Sequence, residues 1–287
     1  MLKFVPEKDK QELPSPQHLM VIGAPKTGKS TIMALLPNSG ILNIEPGGID
    51  GYRFLKHVAV TNDIKSLDEF KRLVTEAITW SKANDNKKPY EYFIIDNMDV
   101  FEDWSEEQAT TDYMESETGK AFNRWTAVEL QKENLTGKIQ VGAEKTGKHR
   151  KSVITLPRGA GYYWLRNAFK RLLNTLPYFA DKIIYVCHVK DKTLEKDGQE
   201  TTVRSVNLTG QAGPILAGMC DACCFLRRDG DKVVADFSID DAISGCRIPA
   251  LEGKKIVISE KDKEGNITVF WNKIFPEIKE NKSVNFG

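Results

Sequence analysis

The stretch Gly23-Ala24-Pro25-Lys26-Thr27-Gly28-Lys29-Ser30 follows a wholly apolar run, Leu19-Met20-Val21-Ile22. Ser30 to Leu36 then reads as a helix, closed by Pro37 and Asn38-Ser39-Gly40. Strand, glycine loop and helix in this order constrain the fold more than any other part of the chain. The loop fits G-x-x-x-x-G-K-[ST] at every position. Gly23 and Gly28 let backbone N–H groups wrap a phosphate chain, and Lys29 reaches the β- and γ-phosphates. The Ser30 hydroxyl is a magnesium ligand, and the helix start, through Thr31, adds its partial positive charge. A near-copy at Gly142-Ala143-Glu144-Lys145-Thr146-Gly147-Lys148-His149 lacks the hydroxyl and has neither a strong strand before it nor a helix after it. It reads as a basic loop, not a second phosphate site.

The rest of the chain alternates in the same way. Ile41-Leu42-Asn43-Ile44 is a second strand, stopped by Glu45-Pro46-Gly47-Gly48, and a third is expected at His57 to Val60. Ser66-Leu67-Asp68-Glu69 is a capping box. It opens a helix with Leu67, Phe70, Val74, Ala77 and Ile78 on one face. Tyr92-Phe93-Ile94-Ile95 is a buried strand ending in Asp96. Residues 103–158 turn polar, acidic first and basic later, and read as an insertion. Structure resumes at Tyr162 with an amphipathic helix: Leu165, Phe169, Leu172, Leu173 and Leu176 oppose Arg166, Lys170 and Arg171. The strand Ile183-Ile184-Tyr185-Val186-Cys187-His188 follows. A hairpin turning at Lys196-Asp197-Gly198 comes next, and then short strands at 222–227, 232–238, 255–259 and 267–271. The pattern predicts an α/β fold with a mainly parallel sheet, an insertion at about 103–160 and an antiparallel C-terminal extension at about 222–276, in one domain over residues 1–287.

Composition excludes little. The 287 residues carry a net charge of +1, so any nucleic-acid contact must come from a local patch. No run approaches the roughly 20 apolar residues of a membrane span, and the N-terminus is polar. A cytoplasmic protein with no membrane contact is expected. The cysteines, Cys187, Cys220, Cys223, Cys224 and Cys246, cluster, but a structural zinc site needs a second ligand pair at suitable spacing. Packing as small hydrophobes is the simpler reading.

Three residues join the loop as chemical candidates. Asp96, at the carboxyl end of a buried strand, is placed to hold the magnesium water shell, with Asp99 as the competing carboxylate. Asn97, not a glutamate, follows it. Glu45, ending the second strand, is therefore the candidate to orient an attacking water. His188, at the end of its strand, is the candidate to report on the γ-phosphate.

Taken together, Gly23–Ser30, Ile41–Gly48, Phe93–Asp96 and Ile184–His188 resemble the RecA-like ATPases. The resemblance is nearest to the phage-encoded nucleotide-binding group that includes single-strand annealing recombinases. It spans roughly residues 17–102 and 160–250. It implies a RecA-like core, ATP with Mg2+, a catalytic Glu45 and a phosphate sensor at His188, where recombinases commonly carry glutamine. It also implies homo-oligomers in which a basic residue of one subunit completes the neighbour's site, with Arg247 as the candidate. It implies DNA-binding loops after the Asp96 and His188 strands as well, in a protein of the host cytoplasm working beside a single-strand-binding protein. Lys138, Lys145, Lys148, Arg150 and Lys151, with only Glu144 among them as an acid, form a basic loop suited to a single-stranded DNA backbone. Two other readings use the same loop. One is an ATP-gated assembly or loader protein that binds no DNA. The other is a small-molecule kinase, which would release phosphorylated product instead of free phosphate.

Overall fold

The computed structural model describes residues 15–45, 59–120, 152–196, 199–238 and 245–285. The chain divides into two compact units. The first is Met1–Val100 with Leu176–Gly287, and the second is Phe101–Thr175.

Among the described residues, the first unit is built on a 12-stranded sheet. Its parallel part comprises β1 (His18–Gly23), β2 (Ser39–Asn43), β3 (Ala59–Asp63), β4 (Tyr92–Asp96), β5 (Lys182–Lys196) and β7 (Ala222–Asp229), in the order β7-β1-β5-β4-β2-β3. Near-continuous apolar strands such as Leu19–Ile22 and Phe93–Ile95 are what a sheet covered on both faces requires, and these residues are buried. The antiparallel part continues from β7 through β8 (Lys232–Asp236), β10 (Lys255–Lys261), β11 (Asn266–Val269) and β12 (Lys282–Asn285). β6 (Gln199–Val206) pairs with the far half of β5, and β9 (Gly245–Cys246) pairs with β7. The fold is therefore the expected α/β sheet, mostly parallel, with antiparallel C-terminal strands.

Helix α1 (Lys29–Ala34) follows the glycine loop. Helix α2 (Leu67–Ala83) starts as the capping box requires: Ser66 Oγ accepts from the Glu69 N–H at 3.3 Å. The Glu69 carboxylate reaches the N–H of Lys65, one residue before the cap, at 2.8 Å. Leu67, Phe70, Val74 and Ala77 form its buried face. Helix α3 (Met98–Glu115) begins directly after Asp96-Asn97. Asn97 Oδ1 caps it, accepting from the N–H groups of Asp99 and Val100 at 3.1 and 3.3 Å.

Several expectations shift. The third strand is seen at Ala59–Asp63 and runs past Val60, while His57 and Val58 lie outside the described residues. β5 does not stop at His188 but runs on to Lys196, where β6 supplies its antiparallel partner. The last strand expected at 267–271 ends at Val269. Trp271 instead opens a 3-10 turn, and its indole N–H donates to the Ile32 carbonyl of α1 at 2.9 Å. That bond, made by a fully buried tryptophan, ties the C-terminal segment to the helix behind the glycine loop.

In the second unit, α4 (Gly161–Leu173) buries Leu165 and Ala168 against Ala109, Tyr113 and Val153.

Candidate active site

The carboxyl ends of the parallel strands converge on one edge of the sheet, where open α/β folds bind ligands. In register, Gly23 of β1 lies opposite His188 of β5, and Asn43 of β2 opposite Asp96 of β4. Because β5 separates β1 from β4, His188 enters the site between the glycine loop and Asp96.

The loop has the backbone the motif requires. Gly28 sits at φ 95°, a left-handed conformation open to glycine, and acts as the N-cap of α1. A Cβ on Gly23 would meet Thr27 Oγ1 at 3.0 Å and Leu226 Cβ at 3.3 Å, so β1 and the loop are closely packed there. The Lys29 side chain is buried and donates to the carbonyls of Gly23 and Ala24, both at 2.8 Å. Burial pulls its pKa down, and Asp96, Glu45 and Asp99 pull it back up. Held by two carbonyls of the glycine loop, the amine is placed where a phosphate oxygen in that loop would meet it. Lys26, at φ 65°, is exposed.

Ser30 Oγ donates to Asp96 Oδ2 at 3.1 Å. A hydroxyl beside a buried carboxylate fits Mg2+, which keeps several waters and takes one or two protein oxygens together with the phosphates. Among the described residues no group of three or more His, Cys, Asp or Glu is arranged to hold a metal ion. The clustered cysteines are free thiols, with Cys187, Cys220, Cys223 and Cys224 buried.

Glu45 Oε1 lies 3.9 Å from His188 Nε2. The other ring nitrogen, Nδ1, is 3.0 Å from Asp99 Oδ2. That hydrogen bond is the main cause raising the His188 pKa, and partial burial opposes it. Asn207, just past β6, donates its side-chain amide to the same Asp99 oxygen at 2.9 Å, and its backbone N–H to the His188 carbonyl at 2.9 Å.

Lys29, Ser30, Glu45, Asp96 and His188 therefore meet in one site. Arg247 is the residue expected to serve a neighbouring subunit's site and not this one. It is exposed, and its guanidinium donates to the Gly218 carbonyl in the last turn of α5 (Ala212–Met219) at 3.2 Å. Lys138, Lys145, Lys148, Arg150 and Lys151 lie outside the described residues. Asp99, weighed in the sequence only as a rival to Asp96, instead holds His188. Asn207 carried no sequence signal. A cleft beside the loop, bordered by Thr27, Thr31, Arg228, Asp231, Ser259 and Lys261, was also not foreseen.

A family model described as an AAA domain matches residues 15–247. The chain belongs to the AAA-domain family. The match spans the loop, Glu45, Asp96 and His188, so this AAA-domain protein is a P-loop nucleotide-binding protein. No curated protein matches its sequence. Among solved structures it is similar to one described as a prototypical ATPase from the type III secretion system of pathogenic bacteria. The two are 13% identical with a TM-score of 0.37, over 74% of this chain and 51% of that one. The AAA-domain chain thus spans about half the length of that structure's chain, and no role is carried across from it. No helix among its described residues is long and apolar enough to cross a membrane.

Proposed function

We propose that the protein hydrolyses ATP with Mg2+ in the manner of RecA-like ATPases and couples hydrolysis to single-stranded DNA. The observation that carries the hydrolytic reading is the placing of Glu45 beside His188, on the sheet edge that also holds Lys29 and the Ser30–Asp96 pair.

The loop N–H groups and Lys29 bind the phosphates, with the Lys29 amine exchanging its two carbonyl partners for phosphate oxygens. Ser30 and Asp96 would hold Mg2+, whose charge would offset that of the phosphates. Glu45 orients a water for attack on the γ-phosphorus and accepts its proton as the bond to the β-phosphate oxygen breaks. His188 senses that step through Glu45. The cleft bordered by Thr31, Arg228 and Lys261 takes the nucleoside end.

The DNA arm is supported by the basic run at 138–151 and by the RecA-like resemblance. Phosphate release from ATP and Mg2+, with and without an oligothymidylate, tests it. Stimulation by the oligonucleotide supports DNA coupling. Hydrolysis indifferent to it transfers the reading to an ATP-gated assembly protein.

A further inference from the structure

One face of α4 has a composition that packing does not explain. Leu165, Ala168, Phe169, Leu172 and Leu173 already supply a complete buried face. Yet the outer face carries Tyr162 and Tyr163 at 41% and 59% exposure. Tyr162, Arg166 and Lys170 fall on one stripe at successive four-residue steps, all exposed. Arg158, just before the helix, is exposed as well. Among the described residues, the one cation of this helix engaged by an acid is Arg171, which pairs with Asp112. Arg158, Arg166 and Lys170 have no acidic partner among the described residues. From Lys145 to Ala180 the sequence contains no aspartate or glutamate at all.

The start of the helix is also closely packed. A Cβ on Gly161 would lie 1.8 Å from the Val153 carbonyl oxygen, so the start of α4 rests directly on that backbone. The Val153 N–H in turn donates to Thr110 Oγ1 of α3 at 3.1 Å. Behind Tyr163, Trp164 packs edge-on to it at 6.0 Å and edge-on to Tyr113 at 5.7 Å. The tyrosines therefore project from a closely packed turn.

We propose that this face of α4 is a stacking platform for single-stranded DNA: Tyr162 and Tyr163 stack on unpaired bases, and Arg158, Arg166 and Lys170 follow the phosphates. Single-strand binders combine these two elements, a cationic track and exposed aromatic rings, because every base offers a π-face. A duplex hides those faces. With no acid of its own, and with Asp112 of α3 engaged by Arg171, the helix presents a stripe that fits a polyanion better than a protein patch of mixed charge. The proposal rests on the single-stranded DNA reading above and adds a helix to the basic run that precedes it in the sequence.

The test is fluorescence anisotropy of a labelled oligothymidylate with the full chain, run beside ATP hydrolysis without DNA. Tyr162→Ala with Tyr163→Ala is expected to weaken binding by about tenfold or more, and Tyr162→Phe with Tyr163→Phe to restore it, since stacking needs the ring and not the hydroxyl. Arg166→Glu with Lys170→Glu should weaken binding and make its salt dependence shallower by about 0.7 in log–log slope per lost contact. Lys71→Glu with Lys82→Glu on α2 should leave affinity close to wild type. DNA-independent hydrolysis should be unchanged in all of them. Wild-type affinity in both α4 variants would overturn the platform while leaving the DNA reading standing. So would retained affinity with a shift in oligomeric state, which would make the face a contact between copies. Preference for oligouridylate over oligothymidylate would overturn the assignment to DNA. Hydrolysis with no oligonucleotide binding by the wild type would remove the DNA reading and the platform together.

Discussion

His188 Nδ1 lies 3.0 Å from Asp99 Oδ2, which sets how the histidine can act. An ionised carboxylate only accepts hydrogen bonds, so Nδ1 carries the proton and Nε2 faces Glu45. Asn207 holds the same Asp99 oxygen and the His188 backbone. The ring is thus oriented from its far side, and its near nitrogen is left for the site.

The first prediction concerns protonation. Asp99→Asn removes the main cause of the raised His188 pKa, so that pKa should fall in the variant, as read by an NMR titration of the imidazole. The sign for stability follows. A histidine whose folded pKa is raised contributes stability that is fully present below its unfolded pKa of about 6.5 and is lost as pH rises through the folded value. The difference in melting temperature between wild type and Asp99→Asn should be largest near pH 6 and shrink toward pH 9. A difference that grows with pH would contradict the pairing.

A second prediction tests the tie between the C-terminal segment and the helix behind the loop. Trp271→Phe puts a smaller ring in the indole's place and leaves the Ile32 carbonyl only its longer bond from the Leu35 N–H at 3.3 Å. It should cost about 1–3 kcal/mol of stability by denaturant unfolding. It should also weaken nucleotide binding, because α1 carries Lys29, Ser30 and Thr31. Stability equal to wild type would show that the bond contributes nothing.

A third concerns the second unit. Gly161→Ala places a methyl group against the Val153 carbonyl, where backbone must shift to admit it. A loss of at least about 1–3 kcal/mol is expected, with faster proteolysis between Val153 and Leu173. Gly218→Ala, whose Cβ would meet nothing within 4 Å, is the control and should be close to neutral.

Much of this architecture was legible from residues alone, and the misses have physical causes. The glycine loop, the Ser66 cap and the apolar strands 19–22 and 92–95 are local signals, and each sits where its pattern placed it. The contacts of His188 with Asp99 and of Asn207 with Asp99 span 89 and 108 residues. No local pattern encodes them. Helix α5 reads Ala212-Gly213-Pro214-Ile215-Leu216-Ala217-Gly218-Met219, with no polar face to give it a period. β12 is a polar edge strand whose residues are half-buried or exposed, so alternation could not mark it. Ala222–Leu226 is a wholly apolar run that suits a terminal hairpin or a central strand equally well. Only its pairing with β1 makes it part of the parallel core.

The central claim is that Lys29 binds the nucleotide and Glu45 drives its hydrolysis. The measurement that tests it most directly is single-turnover hydrolysis of ATP with Mg2+, paired with the binding of a fluorescent ATP analogue, in wild type, Lys29→Ala and Glu45→Gln. Lys29→Ala should lose both. Glu45→Gln should bind as wild type and hydrolyse about 100-fold or more slowly, within the range that a positioned base contributes. Hydrolysis by Glu45→Gln at the wild-type rate would contradict the claim.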